Sequence, residues 1–599
     1  PAGPTSVSVA PVMFNGVDLS PLVPTLNINA ALIGGGASIN KTGAGLLQLS
    51  GQSTFDGGVT LASGAILFGA NSTANNGVLG GVSSGPLGTG ALTLSSGTRL
   101  LTAAAQVIGN SVVVGGDFGF DSTVPAGSNL TLSGLVTLPG TIAINVNNPG
   151  MTAALGTITR QGGAGPISIT KTGLGTLALG ALAPGNTVTL NLNDGNLSLL
   201  HDGDGTGSRQ VINTGITLNP TAAVNLTIGR LGSAYAPLFA LASNKTLQMP
   251  GFALPGTLSV TNNHGHGLEL TTPTTLGTQS WISVSTASAS NQVNGLTISG
   301  TVSGTAGITK TGNGTLELTN AGNSASLTGN LDVQLGVLAA RNDGALGNPA
   351  NQIILNTNST TAGFRATGSF STSRTIVLNR ANNAIDVTSG NILTLNTGFA
   401  LGAVANALRK NDNGTLVLAG ANSTWNGVLT IGAGIVQVNL ASALGTTTGN
   451  TVVSGTGASL ALNNVSISEP LNLNGTGVDG QGALRALAGT TNTVTSTVTL
   501  AAAATIGADA GATLNLTGTL SSGQALTFTG AGAINKTGTG FGAVSSITKN
   551  GAGTFNLLAD SNSFVGGLAV NQGLFRISGS AVRIGGTGTI TVQGPSGQF

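Results

Sequence analysis

The sequence predicts an all-β protein wound as a stack of coils, a β-solenoid. Three observations point there. A phrase close to "KTGxGTLxL" recurs along the chain; short strands follow one another at a steady beat; and the apolar residues are a monotonous set of Leu, Val, Ile and Ala, with aromatics at only 3%. A phrase repeated at intervals marks a repeat architecture, in which each unit buries its apolar face against its neighbours. Sandwich domains share the beat of short strands but carry a varied core of their own. Uniform side chains suit ladders in which each strand pairs with its equivalent one coil away.

The elements follow in order. The first 36 residues, "PAGPTSVSVAPVMFNGVDLSPLVPTLNINAALIGGG", hold five prolines and short apolar stretches. They predict an extended N-terminal segment over residues 1–36, able to add to a neighbour as a strand. From residue 37 to residue 599 the texture is uniform and predicts one continuous solenoid. Its repeat phrases start near residue 39 ("INKTGAGLLQLSG"), 169 ("ITKTGLGTLALGA"), 308 ("ITKTGNGTLELTN") and 408 ("LRKNDNGTLVLAG"), then as a pair over 534–547 ("INKTGTGFG", "ITKNGAGTFNLLA"). Within them "LLQLS" (46–50), "TLALG" (176–180), "TLELT" (315–319) and "TLVLA" (415–419) alternate as half-buried strands do. Between the copies at 308 and 408, "LDVQL", "QIILN", "FRAT", "TIVLN", "AIDV" and "ILTLN" keep the beat. Helical periodicity is nowhere sustained; "AVANALRK" (403–410) comes nearest. The tail "RISGSAVRIGGTGTITVQG" (576–594) still reads as strands.

Six of the seven lysines belong to the phrase: Lys41, Lys171, Lys310, Lys410, Lys536 and Lys549, with Lys245 outside it. The first glycine of each phrase, such as Gly312, is expected to turn a corner at positive φ. Gly314 and Gly414 belong to the same repeat phrase. Leu316, Leu318, Val333, Leu416 and Leu418 are expected to point inward. The lysine, just ahead of the corner, is expected to reach solvent or a subunit contact and to hold no shared ligand.

Composition removes several function classes. Charged residues make up 6%, against roughly a quarter in ordinary domains. The densest basic cluster is Arg409-Lys410, far from the stripe that nucleic-acid binding needs. Hydrophobic residues at 40% rule out charge-driven disorder, and the absence of cysteine rules out disulfides and thiolate metal sites. No apolar run approaches the roughly 18 residues of a membrane span. A start at Pro1, without initiator Met or signal sequence, reads as a processed or excised segment.

Catalytic constellations are sparse. Gly265-His266-Gly267 matches one motif of the polygalacturonases, but the adjacent aspartates and the other motifs of that family are missing, and glycoside hydrolysis needs paired carboxylates. Asp202 and Asp204 in "HDGDGTG" form a weak calcium candidate. His201, His264 and His266 can share a transition metal only if the fold brings residue 201 beside 264. "GVSSG" (81–85) satisfies a nucleophile-elbow pattern without its strand–turn–helix context. No lysine follows a glycine, which excludes a P-loop, and no arginine precedes one, which excludes Arg-Gly-Asp adhesion. The chain is not predicted to be an enzyme, and no cofactor is expected.

The segment "KTGNGTLELTNAGNSASLTGNLDVQLGVLAARNDGALG" (310–347) resembles the autotransporter passenger-associated repeat of bacterial surface proteins. The residues that carry the likeness are Lys310, Gly312, Gly314, Thr315, Leu316, Leu318, Asn323, Gly329, Val333, Gly336, Leu338 and Ala345-Leu346-Gly347. A second full copy runs from Lys410 through Asn422, Gly427, Gly434 and Ala443-Leu444-Gly445; the copy from Lys41 is looser and ends in "PLG" (86–88), and the copy from Lys171 has no clear end. The resemblance implies an elongated right-handed parallel β-helix, secreted and displayed outside a Gram-negative-type cell. The tail "TVQGPSGQF" leaves no room for an outer-membrane barrel, so the resemblance reads as a passenger fragment or as part of a secreted protein using the same repeat.

A surface nearly free of ions invites association. The first functional expectation is therefore a non-catalytic extracellular structural protein that self-associates as a filament, sheath or stalk. The alternative is an adhesin-type passenger mediating attachment or biofilm; a carbohydrate-active enzyme is a remote third. The partners expected are other copies of the chain and a cell-surface polysaccharide, with no nucleic acid.

Overall fold

The computed structural model describes residues 3–599 apart from 20–22, 75–80, 231–242, 279, 287–294, 357–362, 403–405, 522, 542, 561–563, 565, 579–583, 586–587 and 594–596. It divides into two compact units, Pro1–Ala306 with Gly314–Leu316, and Gly307–Asn313 with Glu317–Phe599. Each is a parallel β-solenoid, as the sequence predicts.

In the first unit one wall stacks the strands Pro4–Ser8, Ser38–Thr42, Val59–Leu61, Leu92–Leu94, Val112–Val114, Val136–Leu138 and Ile158–Arg160. A second wall of nine strands runs from Leu26–Ile28 to Ile216–Pro220, and a third begins at Gln106–Ile108. The triplets explain the pairing. In "VTL", "LTL" and "VVV" the outer two residues face one way and the middle one the other, so stacking like on like gives two ladders per wall. Val59, Leu92, Val112, Val136 and Ile158 form a buried aliphatic ladder. Thr60, Thr93, Val113, Thr137 and Thr159 form the outward one.

The second unit repeats the scheme. Leu393, Leu416, Val436, Leu460, Leu484 and Ile506 are successive register partners, all buried. Leu318, Val333, Leu416 and Leu418 lie in its core, as Leu316 does in that of the first unit, each worth about 1.5–3 kcal/mol of burial. Toward residue 599 the core turns aromatic: Phe528 stacks on Phe555 at 4.1 Å and Phe555 on Phe575 at 4.9 Å between ring centroids. Among the described residues the only α-helical turn is Asn323–Ser326, and no helix is long and apolar enough to cross a membrane. The stretch at 403–410, nearest to helical in sequence, yields the strand Ala407–Lys410; residues 403–405 lie outside the described residues.

The N-terminal residues pair within the chain. Pro4–Ser8 runs parallel to Ser38–Thr42, and Leu26–Ile28 to Leu46–Leu49. Between them Met13–Phe14 and Val17–Asp18 form a hairpin, turned by Asn15 and Gly16, both at positive φ, as a two-residue hairpin turn requires. The strands Pro4–Ser8 and Leu26–Ile28 thus join the walls of the unit, where the sequence suggested a separate extended segment up to residue 36.

Candidate functional site

The phrase lysines do not reach solvent. Lys41, Lys171, Lys310, Lys410 and Lys536 are 0% exposed and Lys549 is 2% exposed, which corrects the expectation of exposed corner residues. Strand alternation is the cause. In every copy an Ile or Leu stands two residues before the lysine: Ile39, Ile169, Ile308, Leu408, Ile534 and Ile547. Residues two apart on a strand share a face, so a buried aliphatic carries the lysine inward with it. The register confirms the placement. The coil partners of Lys41, Lys171, Lys310, Lys410, Lys536 and Lys549 are Leu61, Leu192, Val333, Ile431, Leu557 and Val570.

A buried ammonium needs acceptors, and the corner supplies them from the backbone. Lys310 Nζ donates to the carbonyls of Thr311 (2.6 Å), Gly312 (2.8 Å) and Leu335 (3.0 Å). Lys171 donates to Thr172 (2.9 Å), Gly173 (2.5 Å) and Asp194 (3.1 Å), and Lys549 to Asn550 (2.8 Å), Gly551 (2.6 Å) and Gln572 (3.3 Å). Lys41 reaches Gly43 (2.6 Å) and Ser63 (2.9 Å); Lys410 reaches Asp412 and, at 3.2 Å, Ala433. In these five the acceptors come from the lysine's own corner and from the corner one coil later. Lys536 instead uses its own corner and the preceding coil, at Thr537 (2.7 Å) and Gly518 (2.8 Å). Burial pushes these amines down, to about 7 for Lys310 and about 8 for the other five.

The corner one coil later carries its own glycine. Ser63, Asp194, Leu335, Ala433 and Gln572, which accept from the lysines, each precede a glycine at positive φ: Gly64, Gly195, Gly336, Gly434 and Gly573. A side chain there has no room. A Cβ on Gly195 would stand 2.8 Å from Lys171 Nζ and 2.5 Å from the carbonyls of Gly173 and Gly175; on Gly573 it would stand 2.9 Å from Lys549 Nζ. The lysine of one coil and the "G-x-L" glycine of the next are therefore two halves of one device. It neutralises the carbonyl ends of two corners with one charge and fastens consecutive coils together.

A second clip uses the repeat's asparagine. Buried Asn323 Nδ2 donates to the Ala345 carbonyl at 2.9 Å, and buried Asn422 Nδ2 to that of Ala443 at 2.7 Å. Both acceptors open the "A-L-G" corner of the following coil. Sequence reasoning found these residues as a motif but missed their pairing, which joins positions about one coil apart.

Other candidates resolve differently. Asp204 is committed to the chain: Lys245 Nζ donates to its Oδ1 at 2.5 Å and Ser208 Oγ to its Oδ2 at 2.6 Å. Lys245 and these neighbours hold its carboxyl well below the usual range. Asp202 is buried. The fold brings His201 beside His266, but His201 Nδ1 accepts the Gly203 N–H at 2.9 Å and His266 Nε2 lies 3.0 Å from the His201 carbonyl. Among the described residues no group of three or more His, Cys, Asp or Glu is placed to hold a metal. His266 of the Gly-His-Gly is fully buried. The "GVSSG" segment enters the strand Val82–Ser84, which pairs antiparallel with Thr73–Ala74 and leads into no helix.

Four segments, residues 39–67, 308–340, 408–438 and 547–577, match the family of the passenger-associated-transport-repeat. Each match starts at the aliphatic residue two before the lysine and ends in the strand just past the next coil's glycine, so its span is that of the clip. The chain carries this repeat. It is 27% identical, over 96% of its length, to an autotransporter adhesin, BmaC, of Brucella suis biovar 1 (strain 1330), and it spans 17% of that relative's length. No solved structure matches the chain.

Proposed function

We propose that this chain is a β-solenoid stretch of a bacterial surface passenger that mediates attachment. The observation that carries the reading is the pairing of repeat and relative. The residues forming the inter-coil clips are those of a passenger repeat, and the similarity to an adhesin extends over nearly the whole chain. Attachment has more support than the filament reading, which draws on composition and on the uniform texture of the chain. In this role the solenoid is a rigid, nearly uncharged scaffold outside the cell, held by backbone ladders and buried clips rather than by surface ion pairs. It is non-catalytic in this reading.

Beads coated with the full chain test it directly. Attachment to host-cell monolayers well above that of beads coated with an unrelated β-solenoid is the expected result. Equal attachment of the two would reject the reading, and sedimentation showing concentration-dependent polymer without attachment would favour the filament.

A further inference from the structure

Within the first unit, two walls end and two new sheets begin across a few dozen residues. One wall ends on Ile158–Arg160, with a single further bridge from Ile158 to Leu182, and a new sheet begins at Gln210–Asn213. Another wall ends on Ile216–Pro220, and a sheet of short strands begins at Ala253–Leu254. Where ladders stop and restart, stacked coils cannot fit flush. Two cavities of about 300 and 460 Å³ open here and share Thr187, Asn213 and Gly215.

We infer that this cleft binds a neutral, polyhydroxylated ligand, a short stretch of oligosaccharide. The lining carries the argument. The larger cavity presents Thr189, Thr217, Gln248, Thr271 and Thr272 beside the shared residues, and none of its lining side chains is charged. Hydroxyls and amides both donate and accept, which is what sugar hydroxyls require; an ionic ligand would find no counter-charge. The smaller cavity adds an apolar floor of Leu182, Leu199, Ile216 and Leu247 for the C–H faces of a ring. Thr189 and Thr217 are register partners, half-buried on the outer face of the sheet, so two hydroxyls stand about 4.8 Å apart at the rim. The combined size falls within the usual several hundred Å³ of a small-ligand site. An extended peptide is the competing occupant, since among the described residues Ile216–Pro220 pairs on one side only. It would bind through backbone groups and would ignore the threonine hydroxyls.

The binding does not depend on the attachment reading, although its biological use does. Saturation-transfer NMR on the full chain with maltotetraose, cellotetraose, chitotetraose and a sialylated tetrasaccharide provides the test. Transfer to at least one neutral sugar and not to the sialylated one is expected, with affinity reduced at least tenfold by Thr189→Val/Thr217→Val at unchanged circular dichroism. Thr93→Val/Thr137→Val, the same change on another outward ladder, should bind as wild type. If the cleft double variant misfolds, Thr217→Val alone is expected to weaken binding severalfold. Absence of transfer to every neutral sugar, equal transfer to the sialylated one, or unchanged binding by a folded cleft variant would overturn the inference. Glycan binding without bead attachment would reject the attachment reading and leave the cleft standing; attachment without glycan binding would do the reverse.

Discussion

Two copies of the clip in the second unit differ at two corner positions, Thr311 against Asn411 and Gly312 against Asp412. At Lys310 the corner reads Lys-Thr-Gly-Asn-Gly and no carboxylate lies close enough to shift the amine. At Lys410 it reads Lys-Asn-Asp-Asn-Gly, with Asp412 where the other copy has Gly312, and Asp386 nearby. Burial lowers both amines, to about 7 for Lys310 and about 8 for Lys410, and at Lys410 the two carboxylates oppose it. Two equivalent backbone carbonyls, Gly312 and Leu335 for Lys310 and Asp412 and Ala433 for Lys410, receive the ammoniums, and Lys310 adds Thr311. The carbonyl nest is thus the constant part of the device, and charge compensation around it is adjustable.

Removing the ammonium should have the largest effect. Lys310→Met keeps the aliphatic stem and leaves the carbonyls of Thr311, Gly312 and Leu335 without their donor. Each buried carbonyl left without its donor costs about 1–3 kcal/mol. Lys410→Met should cost more than Lys310→Met, because it also strips a counter-charge from half-buried Asp386, whose carboxyl is already pushed up by loss of water. Hydrogen exchange at Leu331–Val333 and Leu429–Ile431, the strands opposite each lysine, reads the loss locally. Equal protection in variants and wild type would show that the ammonium contributes nothing to joining the coils.

The next effect is on pH. An amine at about 10.5 in the unfolded chain and about 7 or 8 in the folded one binds fewer protons when folded. The cost of the buried charge is present in full below the folded value and is relieved between that value and 10.5. Stability should therefore rise with pH across that window, by up to about 1.4 kcal/mol per pH unit for each lysine. For Lys310 the window opens near pH 7; for the other five it opens near pH 8. Urea midpoints from pH 7 to 10 measure it, and a flat or falling profile would show that the carbonyls fully compensate for lost water. The Lys310→Met profile should be flatter than wild type from its lower end.

A smaller cost is expected from Gly434→Ala. Gly434 has φ 67, and a Cβ there would stand 2.5 Å from the carbonyls of Asp412 and Gly414, so the change should cost about 1–3 kcal/mol. The equivalent change at exposed Gly390, also at positive φ but with nothing within 4 Å, should cost less. Equal costs would mean that backbone conformation, rather than closeness to the nest, requires the glycine.

The solenoid was legible because alternation, repetition and turn glycines agreed: Leu316 and Leu318 could be placed inward from their spacing alone. The lysine's place follows from the same spacing, since Ile308 two residues earlier marks the face, but its residue type points the other way. Its acceptors were harder to see. Leu335 lies 25 residues beyond Lys310, and only the stacking of coils brings the two together. The cleft left no local trace either, since a wall ends through loss of pairing, and the threonines of Ile216–Pro220 look like those of any other strand.

The smallest effect on stability, and the sharpest test of the comparison, is expected from Asp412→Asn. The backbone carbonyl that accepts from Lys410 is kept, so the nest survives. What changes is charge: Lys410 loses one of the two carboxylates that raise it, and Arg365 loses an ion partner at 2.8 Å whose side chain is 28% exposed. Pairs of that exposure contribute about 0–1 kcal/mol. Nitrogen-detected NMR of the lysine amines should show Lys410 moving down toward the value of Lys310, while Asp386, relieved of a neighbouring negative charge, also titrates lower. Both shifts point the same way although the two groups carry opposite charge, because Asp412 raises each of them through its own negative field. A Lys410 amine that stays put would mean that the difference between the corners is set by burial, and that the aspartate in the phrase has no electrostatic part in it.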